Sequence, residues 1–536
     1  MKSIVRTVCA PAVGLLLASL LAILSPSGCG GPSSSSTGKV LIYAQAEDPA
    51  TLDPINTDIA EAVHVITNVF DTLVTYHDET TELVPSLATS WTTSEDGLTW
   101  TFKLRTDVKF HDGELLDSSA VKLSFERLLE ETHPLVFDQV RPYQSAYNMI
   151  DVIETPDAET VVMRLKAPSA ILLSNLAMFP ASIVSPKGLE KHQAGFGEHP
   201  VGTGPFKMVK WARDQQLVLA AFDEHFAGRP KVDTLIVVPV KENATRVERL
   251  SRGEIHAAEN LTPVELDSLS KNPAIQVEER LGMNVAYLTM QNEKSPFNLP
   301  EVRRAIWMAI DKKTLIEVGY SGHATPAHTM VPPAMWGHDD KMVDREFNRE
   351  EAKRMMAEAA EKHGFQLPLK VTLSVMNQAR PYLQQPLPIA GFMKDSLREI
   401  GIELTIVGRD VNQHFVHVMR GEHDLGLAGW NSDNADPDNF LYSLLDPDNI
   451  SNEGNNLSRW RNDRFHELML AGQTELDTEK RLAIYLEAQK IVFEEAPVVP
   501  LVHTQLRMAH VKSLKGYHLH PTGLVRLKNA YFESPQ

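Results

Sequence analysis

Residues Gly429–Phe440 read GWNSDNADPDNF and place Asp433, Asp436 and Asp438 close behind Trp430, with Pro437 and asparagines between them. Before them, His423–Ala428 (HDLGLA) carries the small and apolar side chains of a buried strand. Trp430 marks the end of that strand, and the Asn/Asp/Pro cluster reads as a loop. A carboxylate beside an indole at a strand end suits a cationic group. The carboxylate attracts the charge, while the ring excludes water and offers its face. The alternative is a turn whose Asp and Asn side chains bond the local backbone.

Outward from this loop the chain alternates strands and helices. Upstream, Val371–Met376 reads as a strand, Ala390–Ile400 as a helix and Glu403–Val407 as a strand, an order that predicts α/β lobes. Downstream, a helical tail runs to Glu495 with Arg481, Tyr485 and Gln489 at helical spacing. Pro497–His503 (PVVPLVH) then reads as an extended return, and the closing residues, including a run with His518 and His520, add strands. Nearer the start, Val40–Gln45 reads as a strand, Glu61–Tyr76 as a helix, and Pro85–Phe110 as two strands joined at Asp96-Gly97. Asp117 or Ser118 caps a helix to Leu129. Ala170–Met178 is a helix-like apolar run. Val201–Phe206 (VGTGPF) lacks the third glycine of a dinucleotide fingerprint and reads as structural, its glycines allowing close approach and unusual φ. His111 reads as a turn residue rather than a ligand.

Several of these stretches carry a resemblance in order along the chain. GWNSDNADPDNF resembles the GW-x-GDN-x-DPDNF segment of bacterial dipeptide-binding proteins in extracytoplasmic solute-binding protein family 5, with Ser432 where that family has Gly. Thr51–Pro54 (TLDP), Leu83–Leu128, the GTGPF of 202–206, the Val302–Asp311 helix, Pro332–Gly337 (PPAMWG) and Arg380–Tyr382 (RPY) match further motifs of the family. After RPY, Leu383-Gln384 stands where the subgroup continues Asn-Pro.

The resemblance implies a two-lobed periplasmic-binding-protein fold of type II, α/β, with an extra subdomain in the first lobe and a ligand cleft between lobes. It places the first lobe at 39–285 with an insertion near 60–200, the second at 286–500, and a return to the first at 501–536. It implies that Asp433 binds the α-amino group of a peptide and Arg380 its carboxylate, with Trp430 and Tyr382 as apolar walls. A dipeptide is a zwitterion whose end charges span roughly 7 Å. A carboxylate and a guanidinium, both buried at fixed separation, would measure that span, and a longer peptide would leave one charge unpaired at a cost of about 3–5 kcal/mol. The implied role is capture by hinge closure and delivery to an ABC permease in the cytoplasmic membrane, by a monomer without cofactor, metal or enzymatic activity.

Composition sets outer limits. At 536 residues the chain holds two or more lobes, and 43% hydrophobic with 23% charged residues is ordinary for a globular protein. A net charge of −18 argues against nucleic acid and against electrostatic docking on anionic lipid. Lys2 and Arg6 precede the apolar run Ala10–Leu24 and Ser25-Pro-Ser-Gly-Cys29, the layout of a signal peptide over 1–28. Cys29 resembles the lipidated first residue of a bacterial lipoprotein, with Pro26 where the lipobox has Leu, and residues 29–38 read as a flexible tether. Cys9 and Cys29 are the two cysteines, so cleavage before Cys29 leaves no pair for an intrachain disulfide. The expected place is outside the cytoplasm, in the periplasm or at the cell surface, lipid-anchored to a bacterial membrane.

Competing readings remain at this level. Related receptors bind longer oligopeptides, glutathione, haem or nickel complexes, and His414 with His417 has a spacing that suits metal. A secreted peptidase is a rival, although H-E-x-x-H, phosphate-loop and G-x-S-x-G motifs are absent from the sequence. A tethered chaperone or sensor is a third.

Overall fold

A computed structural model describes residues 39–533 except Glu131, Gln139, Asn260, Asp433 and Glu453. The expected signal peptide, tether and lipidation of Cys29 fall outside the described residues, as does Asp433.

Strand Val498–Val511 is the axis of the molecule. It is the longest strand described, fourteen residues, and Val498–Thr504 are all buried, which explains the unbroken apolar run PVVPLVH. Its first half pairs antiparallel with Asn284–Met290, and its second half with Ile275–Leu281 and Ala257–Ala258. A twelve-stranded sheet grows from it in both directions. One side continues through Leu425–Asn431, Leu369–Met376 and Ile402–Arg409; the other through Val40–Gln45, Thr234–Pro239, Gln216–Ala221 and Phe206–Ala212. The expected return point at 500/501 falls inside this strand. A separate four-stranded sheet holds Ala88–Thr93, Thr99–Leu104, Thr160–Leu165 and Ile150–Asp157. Its first hairpin turns at Asp96-Gly97, where Gly97 has φ +69° and Asp96 Oδ1 accepts the Leu98 N–H at 3.0 Å. No helix among the described residues is long and apolar enough to cross a membrane.

Three sequence expectations need correction. The predicted helix over 61–76 is a helix only over Ala60–Val69, followed by strand Val74–Tyr76. The Gly204 N–H takes the Val69 carbonyl at 2.9 Å, so a tertiary contact ends the helix where side-chain periodicity does not. Ala170–Met178 shortens to Leu172–Leu176. His518 and His520 lie in a loop, not a strand, and His520 Nε2 bonds the carbonyls of His77 and Thr80 at 3.1 and 3.0 Å.

The family motifs in this half of the chain are structural. Asp53 of TLDP pairs with Arg127 at 2.6 Å, both buried. A Cβ built on Gly202 would fall 2.3 Å from the Val69 carbonyl oxygen, and one on Gly204 would fall 2.4 Å from the Val69 carbonyl carbon. Close approach is therefore the reason for both glycines; neither has a positive φ. His111 packs on the same segment, its Nε2 2.9 Å from the Gly204 carbonyl, and burial lowers its pKa to about 4. Gly204→Ala must push backbone against backbone, so it should lower unfolding free energy by about 1–3 kcal/mol. A denaturant midpoint equal to that of the wild type would show the contact to be slack.

Candidate functional site

Strand Leu425–Asn431 pairs antiparallel with Asn284–Met290 and parallel with Leu369–Met376. Its residues through Gly429 are buried, and Trp430 is half-buried at its end. Gly429 matters because it lacks a side chain. A Cβ there would fall 2.2 Å from Cδ2 of Tyr382 and 2.6 Å from the Val285 carbonyl oxygen. The Tyr382 ring thus lies flush on the strand, 4% exposed.

That contact carries the loop of Arg380 to the strand leading into GWNSDNADPDNF. The loop closes on itself through Arg380 N–H to Leu383 O (3.0 Å) and Leu383 N–H to Arg380 O (2.9 Å). Two outside bonds pin it: Thr504 Oγ1 donates to Pro381 O at 3.1 Å, and the Tyr320 hydroxyl to Tyr382 O at 2.9 Å. Leu383-Gln384 therefore holds a defined loop without the Asn-Pro of the related subgroup. The Arg380 side chain is exposed, which corrects the expectation of a buried guanidinium. Burial raises the pKa of the Tyr382 hydroxyl, opposed by the charge of Arg380 and a hydrogen bond from it.

Beyond the strand, side chains fold the loop locally, as the turn reading expects. The Ala435 N–H donates to Ser432 Oγ at 2.9 Å, Asp436 N–H to Asn434 Oδ1 at 3.2 Å, and Asp438 N–H to Asp436 Oδ1 at 3.0 Å. Trp430 Nε1 donates to Asn439 Oδ1 at 2.9 Å. Asn434 ties the loop to distant segments: its carbonyl accepts the Tyr76 hydroxyl at 2.8 Å, and its amide donates to Asn175 Oδ1 at 2.8 Å.

The described aspartates are not equivalent. Asp436 is buried in a two-pronged pair with Arg481, at 2.7 and 2.9 Å. Arg481 also donates to Gly472 O and to the Tyr485 hydroxyl, and its guanidinium lies 5.0 Å from the Trp336 ring centre. Asp436 is thus already paired with an internal cation. Asp438 Oδ1 has no partner among the described residues. Burial pushes the Asp438 carboxyl up to about 7, with the Asp436 charge adding to it and Gln473 and Arg481 opposing.

Sequence reading finds the Arg481, Tyr485 and Gln489 stripe on helix Thr478–Glu495 but not its partners. Gln489 Nε2 holds the Gly337 carbonyl at 2.8 Å, so the PPAMWG loop and the aspartate loop share one anchor. Gly337 has φ +83°, and a Cβ there would meet Pro437 Cγ at 2.7 Å. His414 and His417 diverge: His414 Nδ1 meets Ser374 Oγ at 3.0 Å in the core, and His417 Nδ1 meets Glu422 at 3.0 Å. Among the described residues, metal-compatible atoms cluster at Asp446, Asp448 and His466, where Asp446 already caps Pro447–Asn449 and pairs with His466 at 3.0 Å.

Residues 82–452 match the family model of bacterial extracellular solute-binding proteins, family 5 Middle. The chain belongs to that family. The dipeptide-binding protein of Escherichia coli (strain K12) is 29% identical over 94% of this chain and 96% of its own. Heme-binding protein A of Haemophilus influenzae is 31% identical, covering 92% of each chain. The solved periplasmic binding protein DppA of Helicobacter pylori, in complex with the peptide STSA, superposes with a TM-score of 0.77 at 31% identity, covering 93% of this chain and 98% of that one. The two-lobed type II fold expected from the motifs is the fold of these family 5 relatives, and the family is one of solute-binding proteins.

Two predictions follow the buried charges. Asp438 has a folded pKa near 7 against an unfolded value of about 3.9, so the folded state holds the extra proton between those values and stability falls as pH rises through them. From pH 5 to pH 8 the wild type should lose roughly 2–3 kcal/mol relative to Asp438→Asn in denaturant titrations. Parallel pH profiles would contradict the raised pKa. Arg481→Met strands the Asp436 carboxylate and should cost about 3–5 kcal/mol, whereas the double change Asp436→Leu with Arg481→Met should recover part of that loss.

Proposed function

We propose that this chain is the substrate-binding receptor of an ABC importer for dipeptides or other short peptides, working outside the cytoplasm. Asp433 takes the peptide α-amino group and Arg380 its carboxylate, with Trp430 and Tyr382 as apolar walls. The observation that carries this reading is the Tyr382 ring on Gly429, which sets the Arg380 loop beside the strand that leads to Asp433. Arg380 offers a planar fork that can hold a carboxylate through two parallel hydrogen bonds. Peptide names among the relatives support the ligand class, and the peptide held by the Helicobacter pylori relative supports it further.

The proposal extends to the architecture. Residues 39–285 with 501–536 form one lobe and 286–500 the other, and ligand contacts to both favour the closed arrangement. The mature chain is a monomer held to the membrane through lipid on Cys29, and it passes its peptide to a permease.

The test is calorimetry with a dipeptide panel and with the same peptides blocked at either end. Arg380→Ala should weaken a free dipeptide by tenfold or more, about 1.4 kcal/mol or above, and leave its C-terminal amide unaffected. Asp433→Asn should do the same for the free amine and spare the N-acetyl peptide. Unchanged dipeptide affinity in Arg380→Ala would sink the assignment of both ends. Co-purified haem, in line with the Haemophilus influenzae relative's name, would keep the receptor and replace the ligand.

A further inference from the structure

A cavity of about 200 Å³ is lined by residues drawn from the stretches 67–86, 177–182, 205–227 and 516–529. Neither Arg380 nor any residue of 429–440 lines it. Its volume lies below the roughly 300–1,000 Å³ of pockets for drug-sized ligands, which points to a smaller molecule. The apolar part of its lining includes Phe179, Phe226 and Leu524.

The polar lining includes two groups of opposite charge, Lys528 and Asp71. Lys528 is half-buried; burial lowers its pKa, and the charges of Asp71 and Asp78 oppose that. An ammonium offers three donors and no acceptor, so it calls for an oxygen ligand. Asp71 uses only Oδ2 among the described residues, accepting from Thr203 Oγ1 at 2.8 Å with His225 Nε2 at 3.5 Å. Burial disfavours its charge, yet the bonds from His225 and Thr203 hold its pKa below the usual carboxylate range. The other charges here have partners. Arg526 donates to Tyr76 O and Thr75 Oγ1 at 2.7 and 2.9 Å, and Asp78 Oδ2 accepts from Asn529 at 2.8 Å.

We propose that this cavity is a second binding site, for a free amino acid with an apolar side chain. Lys528 takes its carboxylate, the free oxygen of Asp71 takes its ammonium, and Phe179, Phe226 and Leu524 receive the side chain. A simple carboxylate would compete with Asp71 for Lys528, and a simple amine with Lys528 for Asp71. A zwitterion offers a counter-charge to each. The inference is independent of the peptide reading, since it shares no residue with the site of Arg380 and Asp433.

L-leucine titrated into the full mature chain, followed by calorimetry and by protein NMR, tests the site. Binding should saturate, weaken tenfold or more in Lys528→Met and in Asp71→Asn, and vanish in Leu524→Trp, which fills the cavity. It should change less than twofold in Arg380→Ala. 4-Methylpentanoate, which lacks the ammonium, should bind more weakly than leucine to the wild type and equally to Asp71→Asn. Leu524→Trp keeps both charged groups, so a folding defect in the charge variants leaves the proposal testable. No saturable leucine binding, or binding lost in Arg380→Ala and kept in Lys528→Met, would overturn it.

Discussion

The candidate site hangs on a buried pair of charges, Arg481 and Asp436. Taking both out of water costs several kcal/mol per ion, and their attraction offsets this only with good geometry and full hydrogen bonding. Both conditions are met: two parallel bonds join the pair, and Gly472 O and the Tyr485 hydroxyl take further donors of the guanidinium. The pair fixes the aspartate loop on helix Thr478–Glu495. About two turns further along, Gln489 fixes the PPAMWG loop by its Gly337 carbonyl, and Pro437 then fills the space that the missing Gly337 side chain leaves open. Two loops about a hundred residues apart in sequence thus share one helix face.

This arrangement also separates the roles of neighbouring carboxylates. Asp436 is neutralised by an internal cation, while Asp438 lies near its midpoint of protonation at neutral pH because burial and the Asp436 charge both oppose its ionisation. A loop rich in aspartate therefore presents much less negative charge than its composition suggests. Total charge has the same weakness as a guide: a chain of −18 says little about the field in one pocket.

What was legible in the sequence follows from the range of the forces involved. Strand Val40–Gln45, the Asp96-Gly97 turn and the Asp117 cap depend on near neighbours, and each forms where the pattern places it. The helix read over 61–76 stops at Val69 because Gly204, 135 positions away, supplies the contact that ends it. The Arg481–Tyr485–Gln489 stripe was visible as spacing, but its meaning lies in Asp436 and Gly337, which periodicity cannot reach. Arg380 and Trp430 were singled out mainly by resemblance, since an exposed loop arginine and a strand-end tryptophan are ordinary taken alone. The second cavity left no trace in sequence at all: Asp71 and Lys528 are 457 positions apart and line one cavity only through the fold.

Asn434 bears on how a receptor of this kind would respond to its ligand. Its bonds to Tyr76 and Asn175 join the aspartate loop to segments that belong to the other lobe in the proposed division. They are not alone: the Ala170 N–H donates to the Gln473 carbonyl at 2.7 Å, and Tyr76 and Leu176 share an apolar cluster with Phe440 and Leu444, so burial of apolar surface adds to hydrogen bonds of about 0.5–1.5 kcal/mol each. A much stronger latch would close the protein without ligand, and none at all would leave the ligand to meet the whole cost of ordering. In either case a ligand shifts such an equilibrium only by its difference in affinity for the two states.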